Sequence, residues 1–244
     1  MTRLAIFAAM TWECRPIVER LGSAQRTALD SATIWRRARE HDEIWVVKTG
    51  IGIERAANVA RSVLGQTRFD LVVSTGCAGA LHDALGPGDL TVATSVMSAT
   101  ETFETDRDVR ERMRTVAERA ALSPALGAVL CSPIVLATAA AKRAAAAGGA
   151  IAVEMEGAPI ASCAARAAIP FAAVRAILDA ARSELRHVGA FVEPSTGRVR
   201  PLRLARYLAR HPSAVPDLLA MQRMMTAAQR SLHRFFDAWL REEA

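Results

Sequence analysis

The chain has 244 residues, of which 51% are hydrophobic and 23% charged. This excludes a disordered tail and fits one α/β domain with a substantial core; two small domains are allowed but not demanded. The balance of 31 basic to 25 acidic residues gives a formal +6. Only Lys48 and Lys142 are lysines, and no Lys/Arg run, RNA-binding signature or zinc-finger spacing accompanies the arginines, so the charge does not argue for a nucleic-acid partner. Cys14, Cys77, Cys131 and Cys163 form no CxxC pair, which speaks against a disulfide framework or structural zinc and for a reducing cytoplasm.

In chain order, the apolar run over 3–9 reads as a buried strand, too short for a signal segment and soon followed by Glu13. Residues 12–21 read as a helix, and 32–40 with 43–49 as a hairpin. The turn Gly50-Ile-Gly52 leads into a helix over 54–64 with one apolar side. A short strand over 71–74 is expected to close in the glycine turn Thr75-Gly-Cys-Ala-Gly79. A strand over 90–96 and a charged helix over 106–121 follow. The uncharged stretch 120–141 raises the question of a membrane span, but Pro124, Gly127 and Pro133 break it into a helix end, a loop and a strand over 129–136. A helix over 138–147, a strand over 150–153, a helix over 156–168 and a strand over 171–177 complete an alternation that predicts a three-layer α/β sandwich. Beyond Asp179 the reading is a loop over 182–200, a short basic helix over 201–210, a turn over 212–216 and a long helix over 217–241.

Ligands of α/β sheets gather at the carboxyl ends of strands. Here those ends bring Glu13, the run Glu154-Met155-Glu156-Gly157, Asp179 and the glycine turn. Each acid has an ordinary alternative role: Glu156 as a first-turn acid, Asp179 as a cap, Glu13 as a solvated helix residue. Three acids around one glycine turn are harder to dismiss. Gly50-x-Gly52 lacks the third glycine of a dinucleotide fingerprint, no phosphate-loop motif occurs, and the five histidines have no metal-ligand spacing. No serine has a GxSxG setting.

Ala8-Ala-Met10 with Glu13, Thr49-Gly-Ile-Gly52, Ser74-Thr-Gly-Cys-Ala-Gly79 with Gly88-Asp89, Val153-Glu-Met-Glu-Gly157 and Val174-Arg-Ala-Ile-Leu-Asp179 occur in this order. Over residues 3–180 the chain resembles the superfamily of purine nucleoside phosphorylases and methylthioadenosine/adenosylhomocysteine nucleosidases. Its tail resembles the hopanoid-associated branch, whose members remove adenine from adenosylhopane to leave ribosylhopane. The resemblance implies a phosphorylase/hydrolase-like sandwich with a mixed central sheet over 1–180 and a helical extension of the same domain over 181–244.

The resemblance also implies roles. Asp179 binds and protonates purine N7, and burial would help it hold that proton. Glu13 orients and deprotonates the attacking water. Glu156 takes the ribose hydroxyls, Met155 packs on the sugar, and Glu154 belongs to the same binding segment. Backbone groups of Cys77, Ala78 and Gly79 line the base or ribose, and Pro133, Ile134 and Val135 flank the purine plane. No cofactor or metal is implied.

Two positions depart from the pattern: Leu178 and Cys77 stand where Ser is common. The stretch 96–112 is short, which opens the ribose 5′ end to a bulky group. Glu13 beside the attack position disfavours phosphate, so hydrolysis is preferred over phosphorolysis, for which Arg15 and Arg55 are the candidate phosphate ligands. A nucleoside-binding or membrane-docking module without turnover is the non-enzyme alternative.

In the tail, Leu218, Met221, Met225, Ala228, Leu232, Phe235 and Trp239 form an apolar stripe, read first as core or dimer packing. It could also serve as a wall for a lipid-like 5′ group. Arg203, Arg206 and Arg210 share a basic face that would suit an anionic membrane surface. The expected partner is an adenine nucleoside with a bulky 5′ group. The expected assembly is a homodimer, and the expected location is the cytoplasm or the inner membrane face.

Overall fold

The computed structural model describes residues 2–39, 42–184, 206–207 and 210–242. The strand β1 (Thr2–Ala8) leads to α1 (Thr11–Leu21), and β2 (Gln25–Leu29), β3 (Ala32–Ala38) and β4 (Asp42–Lys48) follow as an antiparallel meander. Next come α2 (Ile53–Leu64), β5 (Leu71–Ala80), β6 (Leu90–Met97), β7 (Thr102–Glu104) and α3 (Arg107–Arg119). After them stand β8 (Ala125–Cys131), α4 (Ala139–Ala146), β9 (Ala150–Glu154), α5 (Gly157–Arg166) and β10 (Phe171–Asp179). A short 3-10 turn (Pro212–Ala214) then leads into a long helix, α6 (Val215–Glu242).

The sheet is mixed and has ten strands, ordered β10-β6-β8-β9-β5-β1-β4-β3-β2, with β7 on β6. The strand β10 also pairs with β5, so β5, β9, β8, β6 and β10 close into a ring. Period-two alternation splits β1 between two cores. Ala5 and Phe7 face a cluster with Val59 and Val63 of α2 and Ile160 and Ala164 of α5. Leu4, Ile6 and Ala8 face a cluster with Ile17 of α1, Met113 of α3 and Leu232 and Phe236 of α6. Helices therefore cover both faces of the sheet, as expected.

Four expectations need correction. Residues 75–79 are not a turn but the second half of β5, which runs to Ala80. The strand expected over 129–136 lies earlier, over Ala125–Cys131, because Pro133 has no N–H to donate and the chain leaves the sheet at Ser132. The edge strands β2 and β7 were not anticipated; β2 is almost wholly exposed, with no alternation to betray it. Finally, β9 runs antiparallel to β5, with Val153 opposite Gly79 and Ala152 opposite Ala80, so its acidic end reaches the last residues of β5 from the opposite direction.

The stretch 120–141 runs from the end of α3 through a loop into β8, in the expected order, and then adds a second loop and the start of α4. Among the described residues no helix is long and apolar enough to cross a membrane. The tail stripe is core from Ala228 onward: Leu232, Phe235 and Trp239 are buried against α1, α3 and the sheet. Leu218, Met221 and Met225 are half-buried. The expected loop over 182–200 lies outside the described residues apart from 182–184, as does the basic helix over 201–210 apart from residues 206, 207 and 210.

Candidate active site

The strand β5 is the spine of the site. It runs parallel to β1 and β10, so the chain leaves β1 toward Glu13 and ends β10 at Asp179 on the same side. Glu13 lies in the first turn of α1 and is 3% exposed. Its carboxylate accepts the N–H groups of Met10 (2.8 Å) and Cys77 (2.8 Å). Gly76 makes this approach feasible: a Cβ there would stand 2.7 Å from Glu13 Oε1, and the backbone has φ +137°. Burial pushes the Glu13 carboxyl up, against the pull of these N–H groups and of Arg175.

At the other end of the same segment, Gly79 lies beside Asp179; a Cβ at Gly79 would meet Asp179 Oδ1 at 3.4 Å. Gly76 and Gly79 are three residues apart on an extended strand, about 10 Å. Glu13 and Asp179 are thereby set along one strand, with the Cys77 thiol feeling both charges. Asp179 is 3% exposed, and burial raises its carboxyl while a hydrogen bond from Lys142 lowers it.

The third acid arrives through β9. Glu156 is the N-cap residue of α5 and accepts the Gly52 N–H at 2.7 Å. The Gly50-Ile-Gly52 turn thus serves this carboxylate. Burial first, then the Glu154 charge, raises Glu156 to about 8.

Glu154, expected in the same binding segment, spends its carboxylate on groups of the protein. It is buried and accepts the Arg175 guanidinium at 2.8 Å and the N–H groups of Glu156 (3.0 Å) and Gly157 (2.8 Å). Arg175 in turn donates to Ser74 Oγ at 2.6 Å. Glu154 therefore braces the loop that carries Met155 and Glu156. The Cys77 N–H is likewise taken by Glu13 and is not open to a base or ribose. Ala78 is buried, Gly79 and Met155 are half-buried, and Pro133, Ile134 and Val135 lie exposed on the loop after β8.

Sequence reasoning missed Arg175 and Lys142 as site residues. Arg175 sat within a quoted motif; its signal was a lone cation in the otherwise apolar run 171–177. Lys142 had a fainter one, a lone lysine in an alanine helix.

Beside the acids, a groove of about 720 Å³ lies between α2 and α5, lined by Ile53, Ala57, Phe103, Cys131, Pro133 and Ala158 among others. It does not lie over the carboxylates. It begins next to them, since Ile53 follows the Gly52 that holds Glu156.

The ringed mixed sheet, its two helical layers and the acids Glu13 and Asp179 beside β5, with Glu156 at the start of α5, define an α/β protein of the phosphorylase type. The chain belongs to the phosphorylase superfamily, whose family model matches residues 3–201. The 5′-methylthioadenosine/S-adenosylhomocysteine nucleosidase of Bacillus subtilis is 31% identical over 94 residues, 38% of this chain. The matched segment spans only 41% of that relative's length. The structure of the Helicobacter pylori 5′-methylthioadenosine/S-adenosylhomocysteine nucleosidase superposes with TM-score 0.78 at 18% identity, covering 99% of this chain and 98% of that one. The Neisseria meningitidis enzyme of the same name, in complex with methylthio-immucillin-A, gives TM-score 0.75 at 17% identity, covering 99% and 100%. At such identities the structural likeness is one of fold.

Proposed function

We propose that the protein is a nucleosidase that hydrolyses the N-glycosidic bond of 5′-substituted adenine nucleosides, as the names of its nucleosidase relatives suggest. The observation that carries this reading is the placement of Glu13, Glu156 and Asp179 around β5. Loss of a purine builds positive charge on the ribose and negative charge on the base. In the proposed reaction Asp179 gives its proton to N7, and the C1′–N9 bonding pair leaves with the base, which departs neutral as adenine. Water attacks C1′ and loses its proton to Glu13, while Glu156 holds the ribose hydroxyls. Solvent reprotonates Asp179 and takes the proton from Glu13. Burial favours the protonated form of a carboxylic acid, which suits Asp179 to its role. Arg15, a candidate phosphate ligand, is engaged with Glu19 on the surface of α1, which favours water over phosphate.

A second reading concerns the 5′ group. The mostly apolar groove between α2 and α5 supports a large apolar substituent, of which adenosylhopane is the example suggested by the tail. The C-terminal stripe is not needed for it. Adenine release from 5′-methylthioadenosine, S-adenosylhomocysteine and an adenosine bearing a long apolar 5′ chain tests both readings. Release from any of them supports the nucleosidase, and preference for the long chain supports the second reading. No release from all three overturns the proposal.

A further inference from the structure

Lys142 lies outside every motif that marks the site. It is on α4, among alanines and Arg143, and its side chain is 1% exposed. Its ammonium donates to Asp179 Oδ2, to the Ala180 carbonyl at 2.8 Å and to the Ser183 carbonyl at 3.3 Å. All three protons of the ammonium are thus used, and every acceptor belongs to Asp179 or to the turn just after it. Asp179 Oδ1 has no hydrogen bond among the described residues. A buried ion pair gains little stability over a well-packed apolar pair, because both ions must be desolvated. A full set of bonds on one carboxylate oxygen and its own turn is what orienting that carboxylate requires.

We propose that Lys142 is a positioning residue for Asp179, locking Oδ2 and the 180–183 turn so that Oδ1 alone is presented to the purine. This rests on the reading of Asp179 as the acid of the nucleosidase. The ammonium also opposes burial in setting how tightly Asp179 holds its proton. Among the described residues, the charged and titratable groups that face Asp179 are Lys142 from α4 and the Cys77 thiol from β5, which burial keeps neutral. Arg182, on the following turn, donates to Asp83 instead.

The test is steady-state adenine release from 5′-methylthioadenosine, or from the best substrate of the panel, by Lys142→Met, Lys142→Arg and Asp179→Asn across pH 5–9, with Tm measured for each. Lys142→Met should lower kcat about tenfold or more while KM stays within about twofold, the split expected when a transition-state contact is lost. Its basic limb should move to higher pH, since Asp179 without the ammonium keeps its proton longer. Lys142→Arg should recover most of kcat and the original limb. If Lys142→Met does not fold, Lys142→Gln, which keeps a donor but no charge, is read in the same way. Wild-type kcat and limb in the neutral variant, or losses that merely follow Tm, overturn the proposal. Inactivity of Asp179→Asn in that case leaves the acid reading standing. An active Asp179→Asn overturns the acid reading itself.

Discussion

Gly76 and Glu13 occupy complementary space: the glycine of β5 leaves open the volume that the buried carboxylate fills, 2.7 Å from where a side chain would begin. The same glycine has φ +137°, a conformation L-residues rarely adopt. Gly76→Ala should therefore push Glu13 off its two N–H partners. Adenine release should fall on the order of a hundredfold, the scale of losing a general base. Parallel measurement of Glu13→Gln checks the cause: the two variants should be similarly slow, and the double variant little slower than either.

Arg175 and Glu154 hold the segment carrying Glu156. Arg175→Met leaves the Glu154 carboxylate buried without its cation, which should cost about 3–5 kcal/mol of stability. Thermal unfolding measures this. Replacing both, as Arg175→Met with Glu154→Gln, should recover part of the loss, because no bare charge then remains.

The raised carboxyl of Glu156 fixes a sign for stability against pH. A group whose folded pKa lies above its unfolded value contributes stability fully present below the unfolded value, here near 4.5, and lost as pH rises through the folded one, about 8. Glu156→Gln stays neutral throughout. It should match the wild type near pH 5 and melt distinctly higher near pH 9, where the wild-type carboxylate is charged and half-buried. A gap that shrinks as pH rises contradicts the assignment.

Much of this was legible in the sequence because it rests on local pattern. The apolar run of β1, the spacing of the α6 stripe and the acids near strand ends all read directly. What failed was long-range. Gly76 and Gly79 looked like a turn because glycines usually reverse a chain, whereas here they let two carboxylates approach an extended strand. Glu154 looked like Glu156, two residues on, because nothing local reveals that Arg175 claims it. Lys142 bonds a residue 37 positions away, and no periodicity marks such a partner.

The tail makes a separate prediction. Trp239 is buried against Phe235 and Phe236, so Trp239→Ala should cost about 3–5 kcal/mol as a cavity in the core. Its indole N–H has no partner among the described residues, so Trp239→Phe should be distinctly milder. Where the Trp239→Ala protein remains folded, turnover of small and large 5′-substituted adenosines should fall in the same proportion. Selective loss of the large substrate would instead make the stripe a substrate wall.

The central claim is that Glu13 activates water and that the site takes no phosphate. The most direct measurement is the sugar product formed from 5′-methylthioadenosine, or from the best substrate of the panel, with and without inorganic phosphate, followed by reducing-sugar assay and phosphorus NMR. The account predicts a free reducing sugar in both cases and an unchanged rate of adenine release. A sugar 1-phosphate, or a rate that rises with phosphate, would contradict it.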